Sequence, residues 1–217
     1  MNLKLLHIFL LSTAGTFLLC TPFINTVELA NGLVTGKMCW FHLAMLFFSV
    51  CVFFVMLTKK GTVIAFTFSD PLVLFFAGGV LITYKWNLNP EPEKLIFAGQ
   101  LVILWFLLRY VLTAYREFKF FFLFVLMFTG LIEAVWGMQQ LHGYSHSNHS
   151  LFRLTGSFFN PGPYSGYIAV ILPVCLWTAL RFQKGMHYFA WICVGAILIV
   201  LPAGMSRSAW IAAVVAC

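Results

Sequence analysis

Charged side chains are scarce in this sequence, so the few that interrupt its apolar runs carry most of the chemical information. Arg207, in Gly204-Met-Ser206-Arg207-Ser208, is the one charge after Lys184. An arginine beside an apolar span is costly unless it faces a bundle interior or water, and its planar fork suits bidentate bonding to phosphate. The plainer alternative is snorkelling to anionic lipid. Arg153 opens a second stretch, Arg153-Leu-Thr-Gly156-Ser-Phe-Phe-Asn160-Pro-Gly-Pro-Tyr-Ser-Gly166. Its prolines and glycines predict a tight, non-helical turn leading into a helix. Such backbone near membrane depth is tolerated only where it is buried in protein or lines a cavity. Asn160 can donate and accept, the first amides of the following helix are electropositive, and Arg153 adds a full charge. Together these groups can hold an anionic headgroup such as a phosphate; the alternative is ordinary helix-start chemistry with Arg153 among lipid headgroups.

Glu133 interrupts an apolar run, with Gly137 and Gln140 on the same helical face. A carboxylate within the membrane is a functional candidate, able to accept a proton or to pair with Arg153 or Arg207; the alternative is a structural ion pair or interhelical bond. His142, His146 and His149 would share a face on a helix and could then bind a metal. Gly143, Ser145, Ser147 and Asn148 are poor helix formers, so a polar, solvated loop without a metal site is expected there. Asn148-His149-Ser150 also matches the glycosylation pattern, which matters only in a eukaryotic lumen. Asp70, just before Pro71, reads as a helix N-cap. Gly78-Gly79 and Gly162-x-x-x-Gly166 permit close helix contact.

The elements that must position these groups are membrane helices. The 217 residues are 62% hydrophobic, 18% aromatic and 9% charged. That composition cannot cover a water-facing surface and excludes an ordinary soluble enzyme, a disordered tail and a disulfide scaffold. The fold class expected is all-α, a polytopic transmembrane bundle forming a single domain over residues 1–217. Uncharged or nearly uncharged runs predict seven spans: 23 residues between Lys4 and Glu28, 21 between Lys37 and Lys59, then Val63–Tyr84, Leu95–Leu108, Phe120–Leu141, Tyr164–Leu180 and Tyr188–Gly204. An eighth opens at Ser208, and the chain is expected to be the N-terminal part of a longer one. Six cysteines show no C-x-x-C pairing; Cys20 and Cys39 are the pair that one loop region could bring together.

Orientation follows from Lys and Arg in short loops. With the N-terminus in the cytoplasm, Lys4, Lys59, Lys60, Arg109, Arg116, Lys119, Arg181 and Lys184 lie inside, and Lys37, Lys85, Lys94, Arg153 and Arg207 lie outside, eight against five. The longest connection, 142–166, is then an outer loop. The charge of +7 is spread too thinly along the chain to point to nucleic acid.

Three pieces in order resemble the bacterial O-antigen ligase and O-antigen polymerase superfamily: Glu133-Ala-Val-Trp-Gly137-Met-Gln-Gln140 at the end of a span, Arg153 to Tyr167 leading into the next, and Ser206-Arg207-Ser-Ala-Trp-Ile opening a further one. The resemblance covers roughly residues 120–217. It implies a GT-C-like helix bundle in the inner membrane, needing no metal or other cofactor. Such a bundle takes an undecaprenyl-diphosphate-linked glycan donor at the periplasmic face and transfers the glycan to lipid A core, another glycan or a protein. It implies that arginines bind the donor diphosphate, with Arg207 in the family's Ser-Arg position; the residues themselves add Arg153 as a second binder and Asn160, Ser206, Glu133 and Gln140 as supporting groups. The family's catalytic histidine belongs to a later periplasmic loop, so His142, His146 and His149 do not inherit that role. A transporter or lipid flippase with an outer anion site is the alternative; it should show an internal repeat, and the first four spans hold no Asn-Pro-Gly-Pro counterpart. A structural membrane subunit is a third possibility.

Overall fold

A computed structural model describes residues 3–26, 32–59, 61–62, 64–87, 91–204 and 206–217. Glu28, Lys60 and Val63, used above to bound spans or count charges, lie outside the described residues. The described residues form helices and connecting turns without a strand. In chain order the helices are α1 Leu3–Leu19, α2 Gly32–Thr58, α3 Ser69–Trp86, α4 Pro92–Ala114, α5 Arg116–Leu141, α6 Pro161–Arg181, α7 Gly185–Val200 and α8 Arg207–Ala216.

Five segments are long and apolar enough to cross a membrane: Gly32–Thr58, Pro92–Ala114, Arg116–Leu141, Pro161–Arg181 and Gly185–Gly204. The sequence pattern gave seven. Of the other two, α1 has 17 residues and α3 has 18. The α3 segment is shorter than its apolar run suggests because the helix starts only at Ser69, and it holds Asp70 and Lys85 within its length.

The chain divides into two compact units. The first takes in residues 1–18 and 42–120. Its most constrained point is Asp70, which is not the N-cap of α3: that position is Phe68, and Asp70 sits in the first turn. The Asp70 carboxylate is fully buried. One oxygen accepts from the Thr67 amide at 2.7 Å, and the other accepts from Trp105 Nε1 at 3.0 Å and pairs with Arg109. A buried carboxylate is tolerable only when its lone pairs and its charge are both answered. Here α4 answers both with Trp105 and Arg109, one helical turn apart.

The second unit comprises residues 19–41 and 121–217. Its core is built on α6. Tyr164, Ile168, Ile171 and Cys175 form a buried stripe at helical spacing, against Met127 and Ala134 of α5, Cys193 and Ile197 of α7, and Ala209 and Ala213 of α8. Close approach depends on glycines, but not on those singled out by dipeptide or spacing. A Cβ on Gly78, Gly79 or Gly166 would meet nothing within 4 Å. A Cβ on Gly130 would press on Ile171 at 2.8 Å, one on Gly137 would strike the Tyr164 hydroxyl and Leu154, and one on Gly204 would strike Ser165. Gly130 and Gly137 are seven apart, two turns along one face of α5, which lets α6 lie against them. Cys20 and Cys39 are both free thiols.

Candidate functional site

The polar residues of α5 and the 142–160 connection come together in the second unit. Gln140, 3% exposed, organises them. Its Oε1 accepts from the amides of Thr155 at 2.9 Å and Gly156 at 2.7 Å, and its Nε2 donates to the carbonyls of His146 and Gly156, both at 3.1 Å. A primary amide carries two acceptor and two donor positions, so one side chain stands in for a paired strand. Gly156 has φ +55, and a Cβ there would collide with the Glu133 carboxylate and the Tyr164 ring. Only glycine meets both demands.

Glu133, one further polar position on that face, is fully buried. Its Oε2 accepts from the Ser157 amide at 3.0 Å, and its Oε1 has no hydrogen-bond partner among the described residues. Ser157 in turn donates its hydroxyl to the Pro22 carbonyl at 2.6 Å. The nearest cation to act on Glu133 is Lys37, which adds a weak favourable field, donates to the Ile24 carbonyl at 2.7 Å and lies 5.7 Å from the Phe158 ring centre. Pairing of Glu133 with Arg153 or Arg207 is therefore corrected. Residues 154–157 turn inward while Arg153 stays exposed, and Glu133 meets the Ser157 amide instead.

The remaining loop is held by its own side chains. Asn148 donates to the carbonyls of Gly156 at 3.2 Å and Phe158 at 3.0 Å, and Ser147 meets Thr155 at 3.2 Å. His149 Nδ1 accepts from the Leu151 amide at 3.1 Å, with the Phe152 and Phe159 rings at 4.8 and 5.3 Å. His142, His146, His149 and Arg153 all line one open cavity of 560 Å³. Among the described residues, no three His, Cys, Asp or Glu side chains form a cluster that could hold a metal.

Two of the three remaining site residues act as helix caps. Asn160 Oδ1 accepts from the Gly162 amide at 3.0 Å and starts α6 at Pro161, and Ser206 Oγ accepts from the Ala209 amide at 3.4 Å and starts α8. Ser165, in the first turns of α6, donates to the Gly204 carbonyl at 3.0 Å, just before α8, so both helix starts lie at the same end of the unit. Arg207 is exposed on the first residue of α8 and is not part of the cavity lining. The structure thus gathers Glu133 and Gln140 beneath the loop and puts Arg153 on its open side. Arg207 stands at the neighbouring helix start.

Two contributors carry no local signal in the sequence. Lys37 lies 96 positions from Glu133 and reads as a loop charge. Tyr164, whose hydroxyl donates to the Glu133 carbonyl at 3.2 Å, reads as one aromatic among many. The Gly137 and Gly156 positions that accommodate its ring are the signal that could have found it. Comparison with protein-family models, curated proteins and solved structures gives no match to this chain.

Proposed function

We propose that the chain is a membrane glycan transferase of the O-antigen ligase or polymerase type. It moves a glycan from an undecaprenyl-diphosphate carrier to lipid A core, another glycan or a protein at the periplasmic face of the inner membrane. The observation that carries the reading is a polar loop clamped onto an apolar helix by Gln140 and Glu133, with Arg153 turned to an open cavity of 560 Å³. Beside it stand two capped helix starts, one of them bearing Arg207. With α1 and α3 counted beside the five longer helices, the chain supplies seven spans of a GT-C-like bundle, its N-terminus cytoplasmic.

In this reading Arg207 and Arg153 engage the donor diphosphate. Bond breaking at the sugar leaves charge on the departing diphosphate, and fixed guanidinium donors and helix-start dipoles stabilise that charge more than they stabilise the bound donor. Asn160 and Ser206 set the directions of those helix starts. Glu133 and Gln140 are positioning residues, acting on the donor only through the loop they hold. The proton of the acceptor hydroxyl goes to a histidine, as the family resemblance has it, a role not given to His142, His146 or His149, and no metal is required.

The test is Arg207→Ala in the protein expressed from its complete gene, with membrane abundance measured alongside glycan transfer. Transfer should be lost at normal abundance, since a charge-assisted bond is worth about 1.5–3 kcal/mol and more where it strengthens in the transition state. Arg207→Lys should restore it only in part, because an ammonium keeps the charge and loses the fork. Full function with Lys and reduced abundance with Ala would identify Arg207 as a snorkelling anchor and remove it from the site.

A further inference from the structure

The first unit holds a second cavity, of 600 Å³, that has no part in the proposed transfer. It lies where four helix ends meet: Leu3, Lys4 and His7 from the start of α1, Thr58 and Lys59 from the end of α2, Thr113 and Ala114 from the end of α4, and Arg116 and Glu117 from the start of α5. Three of these helices are of membrane-crossing length. Their ends mark the depth at which lipid headgroups sit.

The floor of the cavity is a fixed hydrogen-bond chain. The Thr58 hydroxyl lies 2.8 Å from the Phe54 carbonyl and 3.3 Å from the Val55 carbonyl of its own helix. His7 Nε2 meets Thr58 Oγ1 at 2.8 Å and His7 Nδ1 meets the Tyr115 hydroxyl at 2.5 Å, so either neutral tautomer bridges the two hydroxyls. His7 is 2% exposed, and its ring ties the exposed Thr58 to the buried Tyr115. The Lys59 ammonium rests 3.9 Å from the centre of the Tyr115 ring and donates to the Ala114 carbonyl. Its place is fixed from two directions.

The charges around this floor do not cancel. Lys4 and Glu117 pair at 2.7 Å, and Lys59 answers the carbonyl end of α4. Arg116 adds a further cation on the exposed rim. Leu3, also on the rim, is 47% exposed and offers apolar contact beside the charges.

We propose that this cavity binds the phosphate of an anionic phospholipid headgroup, with Lys59 and Arg116 as its main donors. Basic pockets between membrane helices attract such headgroups because charge and depth coincide there. Free phosphate presents the same oxygens but lacks the acyl chains that would lie along the apolar helix surface.

The test is the thermal unfolding of the detergent-purified protein with added phosphatidylglycerol, phosphatidylcholine or inorganic phosphate. Phosphatidylglycerol at about ten times its dissociation constant should raise the midpoint by roughly 3–6 °C, while the other two leave it unchanged. Arg116→Gln, which touches only the exposed rim, should remove at least half of that rise. Lys119→Gln, on the same helix but outside the cavity lining, should keep all of it. An equal rise with phosphatidylcholine or with inorganic phosphate would overturn the assignment to an anionic lipid. A full rise in Arg116→Gln, or an equal loss in Lys119→Gln, would overturn the site. None of these outcomes depends on glycan transfer.

Discussion

Gln140 accepts from two successive amides and donates to two carbonyls of a connection that has no regular structure of its own. Replacing it by leucine keeps its volume and removes every one of these bonds. The Thr155 and Gly156 amides would then be buried without acceptors, each at about 1–3 kcal/mol. The segment should relieve that cost by opening to water. Gln140→Leu is therefore expected to speed hydrogen exchange of the 155–157 amides by roughly tenfold or more, while the α6 and α7 amides keep their protection. Unchanged exchange at 155–157 would mean that the rest of the loop holds itself. The sequence marked Glu133, Gln140, Arg153 and Asn160 because a polar residue inside an apolar run is conspicuous. It did not show how they divide between holding the loop and facing outward. That division is set by which way residues 153–157 turn, and the turn depends on φ +55 at Gly156 and on the Gln140 and Glu133 side chains that receive its amides.

Helices were legible from hydropathy because a 20-residue apolar run has few other solutions in lipid. Their ends were less so. The start of α3 is set by the bonds of Asp70 to Thr67, Trp105 and Arg109, of which only the first is local. Helix–helix contacts were the least legible: the Gly78-Gly79 pair faces open space, whereas Gly130 and Gly137, seven apart, carry α6. Gly137→Ala separates two opposed effects. Alanine favours a helix by about 0.8–1 kcal/mol over glycine, but the added methyl would overlap the Tyr164 hydroxyl, and overpacking costs about 1–3 kcal/mol. Tyr164 is fully buried and bonded to the Glu133 carbonyl, so it has little room to move. The overlap should win, and Gly137→Ala should lower the thermal midpoint. Gly78→Ala, with nothing within 4 Å of the new methyl, should raise it or leave it unchanged. A rise in both variants would mean that α5 and α6 are not held at this point.

At the scale of the whole molecule, eight of the thirteen Lys and Arg residues fall on the side assigned to the cytoplasm, and the proposed orientation rests on that imbalance. Cysteines introduced into a thiol-free background at Ser150 and Lys184 should separate cleanly. An impermeant reagent added to intact cells should label position 150 and spare position 184. The reverse pattern would put Arg153 and Arg207 in the cytoplasm, away from any periplasmic donor. The central claim itself is transfer of a lipid-linked glycan. Cells that assemble an undecaprenyl-diphosphate-linked glycan but lack the ligase and polymerase to use it accumulate that donor. Expression of this protein from its complete gene should lower the amount of lipid-linked donor and yield the glycan attached to lipid A core, to a longer glycan or to protein. Donor that stays at its starting level, with no attached product and the protein at normal abundance in the membrane, would contradict the account.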